Sequence, residues 1–470
     1  MMRRNAANPV LSVRNSLFSA GLGVAAALAL WTLPTSIPAQ SRHALAISAL
    51  VLVFWMGRPF PHAISGLIGC YLFWALAGVP FATAFSGFAN MSAWFVFAAG
   101  IFGVITTQTR LAHRLAAWLI GWIGASYSRL VLSFILTSFI LNFLVPSGIA
   151  RVIILGGIGL GVVKSLGWGP EALPARGLFV IITVSSALFD KLMVSGGTSI
   201  VAQGIIEKVG QTPIYWSQWI LAHAPTIVLS IFACWAIILW LFPAGADDRE
   251  RILRLPAGIA RSPWTASEKR WAVFLAVALG LWVTDSWHHI PPAMVAVGIA
   301  LAALLPRIGA IDMKELEGFN IFPFLFSASA LSLAETLTKT GVLDIAAKAF
   351  NFWPPSAGSF LYPAAGLYGT GVVYHLLVPS DPATVASSMP TLMNLALTHG
   401  WSPVATGLTW MLALTTKLFV YQSAVSIAGF SFGYFRPKDF FKVGISLVAV
   451  EFGILFLLVL AYWPLIGLIK

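Results

Sequence analysis

The chain has 470 residues, of which 59% are hydrophobic and 9% carry a formal charge, and its mean hydropathy is +0.87. A soluble domain carries about 25% charged residues, so composition argues against a soluble enzyme, a disordered chain and a nucleic-acid binder. The net charge of +12 reads, in so apolar a chain, as membrane-flanking Lys and Arg, and the class is an all-α polytopic membrane protein.

In chain order, Arg3, Arg4 and Arg14 precede an apolar run from Leu17 to Leu33. The run has the look of a signal peptide, but further apolar segments follow at once. It is read as an uncleaved first helix with its basic flank in the cytoplasm. A spanning helix takes about 20 mostly apolar residues. Candidate spans follow at 43–57, 62–80, 92–122, 177–207 and 219–243, with a separate apolar stretch at 128–165. The longest polar interval, 244–270, holds Arg249, Arg251, Arg254, Arg261, Lys269 and Arg270. It is read as a cytoplasmic linker between two halves. Beyond it come spans at 271–287, 291–306, 320–340, 404–432 and 438–468, with 362–398 set apart as 128–165 is. The expected layout is an N-terminus and first helix (1–41), a first repeat (42–243), the linker (244–270) and a second repeat (271–470). About 11 transmembrane helices result. The N-terminus is then cytoplasmic and Lys470 lies outside a cell (inner) membrane. Cys70 and Cys234 lie in apolar runs and give no disulfide framework or metal-ligand spacing.

An internal repeat fixes the architecture. Leu144-Val-Pro-Ser147 recurs as Leu377-Val-Pro-Ser380, and Gly167-Trp-Gly-Pro170 as Gly400-Trp-Ser-Pro403. Lys191-Leu-Met-Val194 recurs as Lys417-Leu-Phe-Val420, and Ser199-Ile200 as Ser426-Ile427. Arg42 matches Arg270, and Pro61-His-Ala63 resembles Pro291-Pro-Ala293. Each copy has five crossings and one extra apolar segment, so the second copy enters from the opposite side. Inverted repeats of this kind mark secondary transporters with a site at the repeat interface. The bland alternative is a duplicated scaffold without transport.

Irregular backbone at membrane depth is tolerated only where protein or a water-filled cavity satisfies it. The stretch 128–165 is interrupted by Val145-Pro-Ser-Gly-Ile-Ala-Arg151, and 362–398 by Val378-Pro-Ser-Asp-Pro-Ala-Thr384. Both are read as re-entrant hairpins with Ser147 and Ser380 at their tips, where free N–H groups suit an anion. The next span in each copy breaks again, at Val194-Ser-Gly-Gly-Thr-Ser199 and at Val420-Tyr-Gln-Ser-Ala-Val425. Gly196-Gly197 opens the first break or simply packs closely. The second lacks a glycine.

This order resembles the divalent anion–sodium symporter family, carriers of dicarboxylates, citrate and sulfate. Val145-Pro-Ser-Gly-Ile-Ala-Arg151 is similar to that family's Pro-Ser-Asn-Thr-Ala-Arg stretch. Phe419-Val-Tyr-Gln-Ser-Ala424, Lys438-Asp-Phe-Phe-Lys-Val-Gly444 and Tyr462-Trp-Pro-Leu-Ile-Gly467 are similar to its closing pattern. The resemblance runs from about 42 to 468. It departs at both tips, where Ser-Asn-Thr becomes Ser147-Gly148-Ile149 and Ser380-Asp381-Pro382. Carried over by position, it implies one sodium site at Ser147, Gly148, Gly197 and Thr198 and another at Ser380, Asp381, Ser423 and Ala424. Ser147, Gly148, Thr198, Ser380, Asp381, Ser423 and Arg151 would meet the anion. The resemblance also implies a homodimer and elevator-type movement of the hairpins against a scaffold.

Ionisable groups at membrane depth are functional candidates by default. Asp381 either binds a cation or proton, or caps the helix that starts at Pro382. Lys191 and Lys417 hold equivalent positions. Each replaces a bound cation, pairs with the anion, or snorkels. Arg151 holds a carboxylate or braces the hairpin. His375 and Asn142 precede the two tips at equivalent places, and Glu335 with Lys339 is spaced for an i,i+4 pair. No enzyme motif is present and no cofactor is expected. The function expected is secondary transport of a small divalent anion, a dicarboxylate or sulfate, coupled to Na⁺. A sodium-independent exchanger and a cation–proton antiporter using Asp381 are the alternatives.

Overall fold

The computed structural model describes residues 9–32, 37–109, 111, 114, 118, 126–145, 147–245, 263–317, 319–343, 345, 360–378 and 380–469. Arg3, Arg4, Pro146, Pro379 and the linker charges from Asp247 to Arg261 lie outside them. The described residues form helices and no strand. The first half contains α1 (Pro9–Thr32), α2 (Ala39–Gly57), α3 (His62–Ala75), α4 (Met91–Gln108), α5 (Tyr127–Leu144), α6 (Gly148–Ser165), α7 (Leu173–Leu192), α8 (Gly197–Lys208) and α9 (Trp216–Leu241). The second contains α10 (Ala266–Val283), α11 (Pro292–Ala303), α12 (Phe322–Lys339), α13 (Leu361–Leu377), α14 (Asp381–His399), α15 (Pro403–Ala413), α16 (Ala424–Phe430) and α17 (Pro437–Leu457). Seven helical stretches among the described residues are long and apolar enough to cross a membrane, and shorter apolar helices accompany them. The chain is a polytopic α-helical membrane protein.

Local chemistry repeats between the halves more fully than the letters do. Asn90 Oδ1 accepts the Ser92 N–H at the start of α4, and Asn320 Oδ1 accepts the Phe322 N–H at the start of α12. Trp55 Nε1 donates to the His62 carbonyl across the α2–α3 turn, and Trp282 Nε1 to the Pro292 carbonyl across the α10–α11 turn. Arg58 ends α2, and His289 ends a short helix (Asp285–His288) that follows α10, with left-handed φ values of 51° and 55°.

Each Gly-Trp-x-Pro motif closes the base of a hairpin. Gly167 and Gly400 take φ of 66° and 68°, which glycine adopts without a Cβ penalty. The following Trp168 N–H then reaches back to the Val163 carbonyl, and the Trp401 N–H to the Ala396 carbonyl. These are Schellman-type helix ends. The indoles meet the opposite arm. Trp168 lies 6.1 Å from the Tyr127 ring, and Trp401 lies 6.2 Å from the Phe360 ring. So the start of the first arm and the end of the second meet in both α5–α6 and α13–α14.

The second break in each half is also present. α7 stops at Leu192 and α8 starts at Gly197, while α15 stops at Ala413 and α16 starts at Ala424. The break in the second half needs no glycine, because the breaks stay at negative φ. Gly196 has φ −122° and Ser423 has φ −143°. What glycine provides at 196 is closeness, since a Cβ there would sit 3.0 Å from Asp190 Oδ2. The halves interlock at these breaks. α8 packs on the second-half arm α14, and α16 packs on the first-half α6 and α7.

Candidate functional site

The hairpin tips are built by equivalent bonds. In the first, the Val145 N–H closes on Leu141 and the Arg151 N–H on Ser147. In the second, the Val378 N–H closes on Tyr374 and the Thr384 N–H on Ser380. A side chain then ties each tip from within. Arg151 Nη1 donates to the Val145 carbonyl at 2.7 Å, and Thr384 Oγ1 to the Val378 carbonyl at 2.9 Å. Arg151 Nη2 also donates to the Ser186 carbonyl at 2.9 Å, and the side chain is 0% exposed. Of the two readings of Arg151, this conformation shows the brace.

Asp381 is the first residue of α14, with Ser380 as the cap position, so it is not the N-cap of a helix beginning at Pro382. Its carboxylate turns instead toward three nitrogen groups. Asp381 Oδ2 lies 2.8 Å from Lys191 Nζ, and Oδ1 lies 2.8 Å from both Lys417 Nζ and His375 Nε2. Lys191 also pairs with Asp190 at 2.9 Å and donates to the Ala187 carbonyl at 2.9 Å. Lys417 donates to the Leu414 carbonyl. Lys191 is 0% and Lys417 3% exposed, so neither snorkels. Two lysines at equivalent positions of the two halves thus converge on one carboxylate, across the junction between the halves.

The histidine's protonation follows from its neighbours. Gln422 Oε1 accepts the N–H groups of Leu418 and Phe419, both at 2.7 Å, which fixes the amide's orientation. Gln422 Nε2 is therefore the donor to His375 Nδ1 at 2.9 Å. Nδ1 must accept, so the ring proton sits on Nε2, the nitrogen 2.8 Å from Asp381 Oδ1 though not aligned for a hydrogen bond, and the imidazole is neutral. Asn142, the equivalent residue in the first half, donates to Ser195 Oγ at 2.6 Å. Both residues bond the break of their own half.

The remaining candidates are distributed around this cluster. Ser147 caps α6 by accepting the Ala150 N–H at 3.3 Å, and Ser423 caps α16 by accepting the Val425 N–H at 3.2 Å. A Cβ on Gly148 would lie 2.7 Å from Val425 Cγ2, so the first tip touches the start of α16 and has no room for a larger residue. Ala424 is exposed, Ser380 and Thr198 are buried, and the nearest atom to a Cβ on Gly197 is Val96 Cγ1 at 3.8 Å. Glu335 takes Lys208 as its partner at 3.4 Å, in place of the i,i+4 Lys339, because α8 packs on α12 there. Sequence reasoning missed Gln422, whose role depends on backbone N–H groups that the unwound segment exposes. It also missed Glu451, a buried acid within the apolar run of α17.

The chain is similar to known transport proteins over nearly its whole length. The family model for the sodium:sulfate symporter transmembrane region matches residues 15–469. The citrate/succinate antiporter of Escherichia coli is 22% identical, over 93% of this chain and 94% of that one. The L-tartrate/succinate antiporter of Escherichia coli is 24% identical, over 94% of this chain and 96% of that one. The crystal structure of the Alcanivorax borkumensis YdaH transporter has a TM-score of 0.54 at 14% identity, covering 98% of this chain and 99% of that one. That likeness shows a shared fold.

Proposed function

The chain belongs to the sodium:sulfate symporter family and is a membrane transporter, not an enzyme, and from that premise we propose that it exchanges small dicarboxylates without sodium. The observation that carries this reading is the pair of buried ammoniums, Lys191 and Lys417, each 2.8 Å from Asp381. A sodium ion brings positive charge to an anion site and then leaves with the cargo. A lysine keeps that charge in the chain. A dicarboxylate has two carboxylates, enough to take one ammonium each while Asp381 yields them. Because the positive charges return with the carrier, a second anion travels back with them. Two relatives that are antiporters of citrate or tartrate with succinate support the same reading. Movement of the hairpins against the rest of the bundle would give alternating access. The cytoplasmic side is taken as that of the N-terminus, in a cell membrane.

The test is counterflow in proteoliposomes. Labelled succinate, malate, tartrate, citrate and sulfate are offered to vesicles that hold unlabelled succinate or none. The reading predicts saturable uptake of at least one dicarboxylate only into loaded vesicles. Equal uptake into empty vesicles, driven by a sodium gradient, would return the chain to the sodium symport expected from its resemblance. No saturable uptake of any anion would remove the transport reading for this set.

A further inference from the structure

A second buried carboxyl lies beside the cluster. Glu451, within α17, is 1% exposed, and hydroxyls surround it. Its Oε1 accepts from Thr415 Oγ1 at 2.7 Å and from Thr416 Oγ1 at 2.6 Å, and its Oε2 from the Tyr368 hydroxyl at 3.1 Å. Two of these donors have another acceptor in reach. Thr415 Oγ1 is 2.5 Å from the Leu412 carbonyl, and the Tyr368 hydroxyl is 3.1 Å from the Val448 carbonyl.

A hydroxyl has one proton to give and lone pairs to receive another. With Glu451 ionised, all three hydroxyls donate to it. With Glu451 protonated, its O–H donates to the Tyr368 or Thr415 oxygen, and that hydroxyl turns to its carbonyl. Neither state strands a buried donor or acceptor of the set, which is the condition for a buried polar group to be tolerated. A carboxyl held by guanidinium or backbone N–H groups lacks this freedom, because those donors cannot become acceptors.

The surrounding charge gives the two states different consequences. From the second break, Lys417 follows Thr416 directly, and its ammonium is drawn to Asp381. From α7, Lys191 and Asp190 lie on the far side of Asp381. From α9, Cys234 is buried within electrostatic reach, and from α13 comes Tyr368 itself. Arg151 braces the first tip. Around the two breaks the described buried charged groups include Arg151, Lys191 and Lys417, and Asp190, Asp285, Asp381 and Glu451. Whatever their sum, protonating Glu451 makes it more positive by one charge. In a low-dielectric interior, that difference favours an entering anion.

We propose that Glu451 is a proton-binding site linked to the anion site, so that a proton and an anion bind together and each leaves more easily once the other has gone. The proton comes from solvent, joins a carboxylate oxygen on loading and returns to solvent on release. This inference rests on the carrier reading above, and its test separates the two.

The experiment measures the apparent KM of succinate exchange in proteoliposomes, with equal pH on both sides, from mildly acid to mildly alkaline. Glu451→Gln fixes the neutral form and keeps hydrogen-bonding capacity for Thr416 and Tyr368. Titration of the succinate itself is common to both proteins and cancels in their ratio. The ratio of wild-type KM to Glu451→Gln KM is expected to climb with pH, by up to about tenfold per pH unit, as one linked proton requires. A ratio flat with pH overturns the proposal. Thr416→Val guards against a misfolded Gln variant. Thr416 has no other acceptor among the described residues and donates to Glu451 in both states, but its bond to the charged carboxylate is the stronger, so the wild-type curve should move toward alkaline, by up to about one pH unit. An unmoved curve overturns the proposal equally. Wild type that exchanges no anion at any pH would instead refute the carrier reading, which a flat ratio leaves standing.

Discussion

Asp381→Asn is the perturbation with the most predictable cost. Both carboxylate oxygens are engaged at 2.8 Å, and the ammoniums they meet cannot reach water. Lys191 keeps Asp190 at 2.9 Å after the substitution. Lys417 keeps the Leu414 carbonyl and at most an amide oxygen, with no other carboxylate paired to it among the described residues, so it becomes a charge without a counter-ion. Removing one partner of a buried pair costs about 3–5 kcal/mol. Removing the stranded partner as well, with Lys417→Met of similar volume, should recover part of that loss. The double variant is expected to be more stable than Asp381→Asn alone, with a coupling energy of about 2 kcal/mol or more. Equilibrium denaturant titration in detergent micelles, run on wild type, both single variants and the double, measures the cycle. If the two single losses simply add, Lys417 does not depend on Asp381 and the charge cluster is misread.

Other expectations follow from the same contacts. Arg151→Met leaves the Val145 carbonyl at the first tip and the Ser186 carbonyl of α7 without this donor and should cost about 1–3 kcal/mol, whereas Thr384→Val removes one bond and should cost less. Equal losses in thermal unfolding would contradict the brace. Gly148→Asn forces atoms against Val425 Cγ2, which a Cβ would approach to 2.7 Å, and overpacking of this kind costs about 1–3 kcal/mol. Val425→Ala should recover part of it, and an unchanged midpoint for Gly148→Asn would show that the tip is looser than described. Trp168 is buried and Trp401 half-buried, so Trp168→Ala should lower the unfolding midpoint more than Trp401→Ala. The reverse order would contradict the proposed closure of the hairpin bases.

Much of the fold was legible in the letters because the repeat copies local rules. The Gly-Trp-x-Pro match predicted equivalence, and its cause is a left-handed glycine that turns an indole onto the facing arm. Pro-Ser at each tip signalled the hairpins directly. The absence of glycine does not prevent the second break, since neither break needs a positive φ.

Candidate site residues stood out in the sequence by type and position, but their partners did not. The matched positions of Lys191 and Lys417 marked them. Their meeting on Asp381 depends on how the halves interlock, which no local pattern encodes. The i,i+4 rule suggested Lys339 for Glu335, and packing of α8 on α12 supplied Lys208 instead. Gln422 and Glu451 carry no motif. They become visible only when their hydrogen-bond partners are counted.

The central claim is that fixed ammoniums stand where a dissociable cation would serve. The most direct measurement is the initial rate of succinate–succinate exchange by the purified chain in liposomes, with all sodium replaced by choline on both sides. The account predicts the same rate in choline as in sodium, and loss of exchange in Lys417→Met under both conditions. A rate that collapses in choline and returns with added sodium would contradict it.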